Sequence, residues 1–230
     1  MVERKEYLNQ LWIWKDEQVI KVVTGIRRCG KSTLLKQYQD KLKSEGVSPD
    51  QIISINFEEL ENEPLLEYKA LYQYIKEHLC TGKMNYIFLD EIQKVASFEK
   101  VIDSLYVKDN IDIYITGSNA YMLSGDLATL LTGRYVEISM LPLSFKEYVQ
   151  LADTTKEQAF TEYMKNGGFP YIAAMDKTDE KVDIYLEGIY NTVIVKDIED
   201  RQTRKERTTG KKKITDIVLV TYSHHLNQRF

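Results

Sequence analysis

Cysteine, proline and long apolar runs are scarce in this sequence. Only two Cys occur in 230 residues, too few for a disulfide framework, so a reducing, cytoplasmic setting is expected. Four Pro and eleven Gly exclude a collagen-like or low-complexity chain. No apolar run approaches the ~20 residues of a membrane span, so no membrane partner is expected. The opening MVERKEYLNQ has neither the apolar stretch nor the small-residue cleavage site of a secretory leader. Disorder is excluded as well, because 43% hydrophobic and 11% aromatic residues hold enough apolar mass for one sizeable core.

Basic charge is also short overall. The formal net charge is −4, which argues against a wholly basic nucleic-acid binder. What basic charge there is gathers late: residues 201–213, RQTRKERTTGKKK, hold seven Lys or Arg against one Glu. Such a stretch either contacts a nucleic-acid backbone or is a solvated linker. The ITDIVLVTYSHHLNQRF that follows makes one apolar run and stops, and its adjacent His224 and His225 fit no common zinc spacing.

What the chain does have is alternation. Strand patterns at 19–23, 52–57, 86–90, 111–116 and 135–138 are separated by helical patterns at 32–46, 65–79, 97–107 and 122–132. Strand and helix in turn predict a parallel sheet with helices on both faces, an α/β sandwich of three layers. Beyond Met140 the pattern turns helical, at 144–152, 156–167 and 179–200, with a break at Gly167-Gly168-Phe169-Pro170. The expected plan is a core over 1–140, a small helical lid or linker over 141–200 and a basic tail over 201–230.

The first strand runs into Gly25-Ile26-Arg27-Arg28-Cys29-Gly30-Lys31-Ser32-Thr33, a GxxxxGK[ST] loop opening a helix. Gly25 and Gly30 allow backbone conformations that turn successive N–H groups around a phosphate. The helix adds its positive end. Lys31 would reach the β- and γ-phosphates and Ser32 would ligate Mg²⁺. Cys29 lies among Arg27, Arg28 and Lys31, which would suit a reactive thiol. The simpler reading is preferred: the backbone does the binding and the position tolerates many residues.

Tyr86-Ile87-Phe88-Leu89-Asp90-Glu91 is an apolar strand ending in two carboxylates. After a phosphate-binding loop, Asp90 is placed to hold Mg²⁺ and Glu91 to polarise an attacking water. The G-protein pattern N-K-x-D is absent, which leaves ATP by elimination. At the next strand end, Ser118 or Asn119 either positions that water or caps a helix. Arg134, before the last strand, is either a surface residue or a stabiliser of transition-state charge on a neighbouring subunit.

In this order, GIRRCGKST, YIFLDEIQ, YITGSN and LTGRYVEI resemble the AAA-type P-loop ATPases, in particular the bacterial and archaeal ATP-binding proteins with a nuclease-like C-terminal domain. PLSFKEY, GGFPYI and TVIVKDI resemble that group's lid and linker. The resemblance implies a five-stranded parallel sheet, ATP and Mg²⁺ as ligands, and Lys31, Ser32, Asp90 and Glu91 as phosphate, metal and catalytic residues. It further implies a γ-phosphate sensor at Ser118 or Asn119, and Arg134 as an arginine finger in trans within a homo-oligomer. Such proteins are longer, so the chain reads either as a truncated form or as a short homologue. Two functions are expected from different classes: Mg²⁺-dependent ATP hydrolysis, or an ATP-dependent switch or scaffold with little turnover, associated with nucleic acid through residues 201–213.

Overall fold

The computed structural model describes residues 2–117, 131, 133–175 and 178–191. Most of the helical pattern at 122–132, the basic stretch at 201–213 and the adjacent histidines lie outside these residues, as do Ser118 and Asn119.

Five strands form the sheet: β1 (Ile20–Gly25), β2 (Ile52–Asn56), β3 (Asn85–Asp90), β4 (Ile111–Thr116) and β5 (Tyr135–Met140). They are all parallel, in the order β2–β3–β4–β1–β5. Strands β1 and β3 are buried along their whole length, as continuous apolar runs covered on both faces require. Two helices, α1 (Lys5–Ile13) and α2 (Lys31–Ser44), cover one face, where Leu8, Leu11, Leu34 and Leu42 pack on Val23, Phe88 and Tyr114. The other face is covered by α3 (Tyr68–Glu77) and α4 (Phe98–Tyr106), whose Leu71, Ile75, Val101 and Leu105 pack on Val22, Ile87 and Ile113. The α/β three-layer sandwich is therefore the fold.

Several boundaries differ from the sequence expectation, each for a physical reason. Strands β1 and β5 run two residues further, because they pair with each other up to Gly25 and Met140. Helix α3 starts three residues later than the pattern, after a 3-10 turn over Leu60–Leu66 that contains Pro64; Glu67 caps it by accepting from the Ala70 N–H at 2.8 Å. Helix α1 was not expected at all. It lacks a side-chain cap and owes its place to Leu8 and Leu11, buried against α2 and the sheet.

After β5 come α5 (Phe145–Tyr148), α6 (Lys156–Asn166), α7 (Pro170–Ala174) and α8 (Asp179–Ile189). The expected break is real: α6 ends at Gly167 and Pro170 opens α7, with the Gly168 carbonyl accepting from the Leu143 N–H at 2.7 Å. A separate small core forms here from Leu143, Tyr148, Ala159, Ala173 and, from the far end of the chain, Val2. Among the described residues no helix is long and apolar enough to cross a membrane.

Neighbouring strands β1 and β4 send their connections in opposite directions, to β2 and to β5. In open parallel sheets the crevice at the carboxyl ends of two such strands is the ligand position. The opposite end of the same strands is sealed by buried charge. Lys21 of β1 and Asp112 of β4 form an ion pair at 0% and 1% exposure. The Lys21 ammonium also donates to the Glu17 carbonyl at 2.8 Å, and Asp112 accepts from the Asp16 N–H at 3.0 Å and the Tyr114 hydroxyl at 2.8 Å. Burial pulls Lys21 down and pushes Asp112 up from their ordinary pKa values, and their mutual attraction opposes both. Removing one partner strands the other charge. Lys21→Met alone should cost about 3–5 kcal/mol, whereas Lys21→Met with Asp112→Asn should recover most of the loss. Thermal unfolding of wild type, the two single variants and the double variant checks this; a double variant as unstable as the sum of the singles would contradict it.

Candidate functional site

The carboxyl end of β1 turns sharply into α2. Gly25, at φ +153°, pairs with Met140 of β5 so closely that a Cβ there would stand 2.5 Å from the Met140 carbonyl oxygen and 2.9 Å from Cys29 Sγ. Only glycine fits. Gly30, at φ +103°, takes the left-handed conformation that lets α2 begin at Lys31. As the cap residue it offers no side chain to the first-turn N–H groups, and that turn has no acidic residue. The positive end of α2 is thus free of a capping side chain and of first-turn carboxylates, an arrangement that suits an anion.

Lys31 is 4% exposed. Its ammonium donates to the Gly25 carbonyl at 3.1 Å and the Ile26 carbonyl at 3.4 Å, and stands 3.7 Å from Glu91 Oε1. Ser32 and Arg28 are exposed, and Ile26, Arg27 and Thr33 are half-buried. Cys29 is fully buried, and burial pushes its thiol pKa up. That opposes thiolate formation and supports a packing role.

The acidic pair sits across β4 from the loop. Asp90 ends β3, and Thr116 ends β4, the strand between β3 and β1. Thr116 is wholly buried. Its hydroxyl donates to the Asp90 carboxylate and accepts the Glu91 N–H at 2.9 Å. Glu91 leaves the strand in a left-handed conformation, φ +56°, a strained state for a residue with Cβ that costs of order 1 kcal/mol. The turn brings its side chain to Lys31, and Gln93 Nε2 donates to the second carboxylate oxygen at 2.5 Å.

The fold therefore gathers Gly25, Ile26, Gly30, Lys31, Asp90 and Glu91 at the carboxyl end of the sheet. Arg134 lies elsewhere. It precedes β5, at the opposite end of the sheet, half-exposed, paired with Asp103 at 3.0 Å and with its guanidinium 5.4 Å from the Tyr106 ring centre. Thr116 and Gln93 were given no role on sequence, because a threonine closing an apolar strand reads as ordinary strand composition and the glutamine that ends YIFLDEIQ carries no chemistry of its own.

The donor set fits a nucleotide phosphate: a glycine turn, an uncapped helix start and a buried ammonium. Among the described residues no cluster of three or more His, Cys, Asp or Glu forms a metal cage. Asp90 and the Ser32 hydroxyl would instead hold a divalent cation jointly with phosphate oxygens and water, as Mg²⁺ prefers.

Residues 17–149 match an AAA domain family. Two curated relatives are similar over most of the chain. An uncharacterised protein of Haemophilus influenzae is 40% identical over 212 residues, 90% of this chain and 52% of its own length. The uncharacterised protein MJ1544 of Methanocaldococcus jannaschii is 34% identical over 191 residues, 76% of this chain and 42% of its own. The chain spans about half the length of the curated relatives it matches. Among solved structures, the Walker-type ATPase paby2304 of Pyrococcus abyssi superposes with a TM-score of 0.53 at 16% identity, covering 100% of this chain and 76% of that one. Hsp104, solved with ATPγS and FITC-casein, gives 0.53 at 13% identity over 83% of this chain and 38% of its own. Both share the fold.

Thr116 tests how the acidic pair is held. Thr116→Val keeps the shape but removes the acceptor of the buried Glu91 N–H, and should cost about 1–3 kcal/mol, with Thr116→Ser restoring most of it. Denaturant unfolding measures both; equal stability of the valine variant and wild type would contradict the contact.

Proposed function

The chain belongs to the AAA domain family, and from that premise we propose that it binds ATP with Mg²⁺ at the carboxyl end of its sheet and hydrolyses it. The observation that carries this is the position of Glu91, bent out of β3 and held 3.7 Å from the Lys31 ammonium. A carboxylate beside the phosphate-binding lysine is where a water must be activated for in-line attack.

In this reading the loop from Gly25 to Thr33 wraps the phosphates, its N–H groups and the start of α2 supplying the anion site. Lys31 leaves the loop carbonyls and neutralises the β- and γ-phosphate oxygens. Ser32 and Asp90 hold Mg²⁺, which when bound withdraws charge from the phosphates. Glu91 orients the attacking water and accepts its proton; Gln93 and Thr116 keep its side chain and backbone in place. Ser118 or Asn119, which follow β4 in the sequence, would serve as the γ-phosphate sensor. Arg134, exposed and remote from its own loop, serves the nucleotide of a neighbouring subunit, so the working form is a homo-oligomer. The helices from Phe145 onward act as the lid.

Phosphate release tests the reading together with nucleotide binding. Lys31→Ala should abolish binding, while Glu91→Gln should bind ATP normally and lose about 10²–10⁴-fold in turnover. Arg134→Ala should lower the rate per subunit and remove its rise with protein concentration. Turnover that is equal in wild type and Glu91→Gln would overturn hydrolysis and leave a nucleotide-dependent switch.

A further inference from the structure

Arg4 lies outside the part of the chain that matches the family, yet it is buried to 3% exposure. A guanidinium taken out of water must satisfy its donors and its charge, and here three separate parts of the molecule do so. Nε donates to Glu147 Oε1 of α5 at 2.8 Å. Nη2 donates to the Leu141 carbonyl at 2.9 Å and the Pro142 carbonyl at 3.4 Å, where the chain leaves β5. Nη1 donates to the Cys29 carbonyl, inside the phosphate-binding loop, at 3.3 Å. The Tyr7 ring lies against the guanidinium, 4.8 Å from ring centre to Cζ, and the Tyr7 hydroxyl accepts the Leu141 N–H at 3.1 Å.

The segment that carries Arg4 is itself fastened on both sides. Gln37 of α2 accepts the Arg4 N–H at 3.2 Å and donates to the Val2 carbonyl at 2.6 Å. Val2 packs in the small core of the helical segment, whereas Leu8 and Leu11 pack against the sheet. The loop meets the helical segment a second time, where Arg28 stands 5.7 Å from the Tyr185 ring of α8.

We propose that Arg4 is a positioning residue for the phosphate loop, setting the orientation of the Cys29–Gly30 peptide and locking it to the position of residues 141–147. In a planar trans peptide the carbonyl and the N–H point in opposite directions. Holding the Cys29 carbonyl toward Arg4 therefore turns the Gly30 N–H away from it and fixes one donor of the anion site. The same fork holds the β5 exit and, through Glu147, α5. Movement of the helical segment must then move the loop peptide, and a phosphate that orders the loop must steady the helical segment. This inference rests on the nucleotide reading for its ligand, but its mechanical part does not.

Arg4→Lys is the informative variant. A lysine keeps the charge beside Glu147, but its single nitrogen has no planar fork to reach the four acceptors that Arg4 serves. Hydrogen exchange of the free protein reads the mechanical part without nucleotide: amide exchange should rise in residues 26–31 and 141–149 together, with the remaining amides unchanged. Mg²⁺-ATP reads the ligand part. In wild type it should slow exchange in both segments. In Arg4→Lys it should slow only the loop, with affinity lowered about tenfold and turnover at saturation little altered. Glu147→Gln, which removes the charge and keeps an acceptor, should lie between the two. A uniform rise in exchange across the chain would make Arg4 merely structural and overturn the proposal, as would loop exchange that stays at the wild-type level. Linked exchange changes in Arg4→Lys, with no ATP binding by wild type, would overturn the nucleotide reading and leave the linkage standing.

Discussion

The close approach of Gly25 to the Met140 carbonyl is the constraint on which the rest of the structure depends. It pins the last residue of β1 to the last residue of β5, in a gap that no Cβ enters. From that point the chain turns through a left-handed Arg28 and a left-handed Gly30 into α2, which buries Lys31 at the sheet's carboxyl end. On the other side of the same contact, β5 is delivered into Leu141 and Pro142, whose carbonyls receive Arg4. One backbone contact thus sets both the shape of the phosphate loop and the path of the chain into the helical segment.

The two ends of the sheet handle charge differently. At the amino end, Lys21 and Asp112 are sealed among Tyr114 and Tyr38, whose hydroxyls burial keeps protonated. The pair has hydrogen-bond partners on both sides, and it fixes how β1 and β4 sit beside each other. At the carboxyl end Lys31 is shared between two loop carbonyls and Glu91, a loose partnership at 3.1 to 3.7 Å that an incoming phosphate can replace. Thr116 makes that end rigid where rigidity matters, by holding the Asp90 side chain and the Glu91 backbone with one hydroxyl. The sealed ion pair and the candidate nucleotide site thus lie at opposite ends of the same two strands.

The alternation of apolar runs with amphipathic stretches was enough to read the parallel sheet and the helices on its two faces. The loop glycines and the paired acids were legible too, because their chemistry demands particular residue types at particular spacings. Other features were not, for a common reason: they depend on what folding brings near. Helix α1 has no cap of its own, so its burial against α2, not its composition, makes it a helix. Thr116 gains its role only when β4 falls between β3 and β1. Arg4 in a polar opening segment looks solvated, yet it reaches partners 25 and more than 130 positions away.

The most direct measurement of the central claim is calorimetric titration of Mg²⁺-ATP into wild type and Gly25→Ala. The geometry predicts saturable binding to wild type. It predicts none to the alanine variant, even where circular dichroism shows its secondary structure retained, because the added methyl must push the loop off β5. Equal affinity in the two proteins would contradict the claim that this close approach shapes the phosphate site.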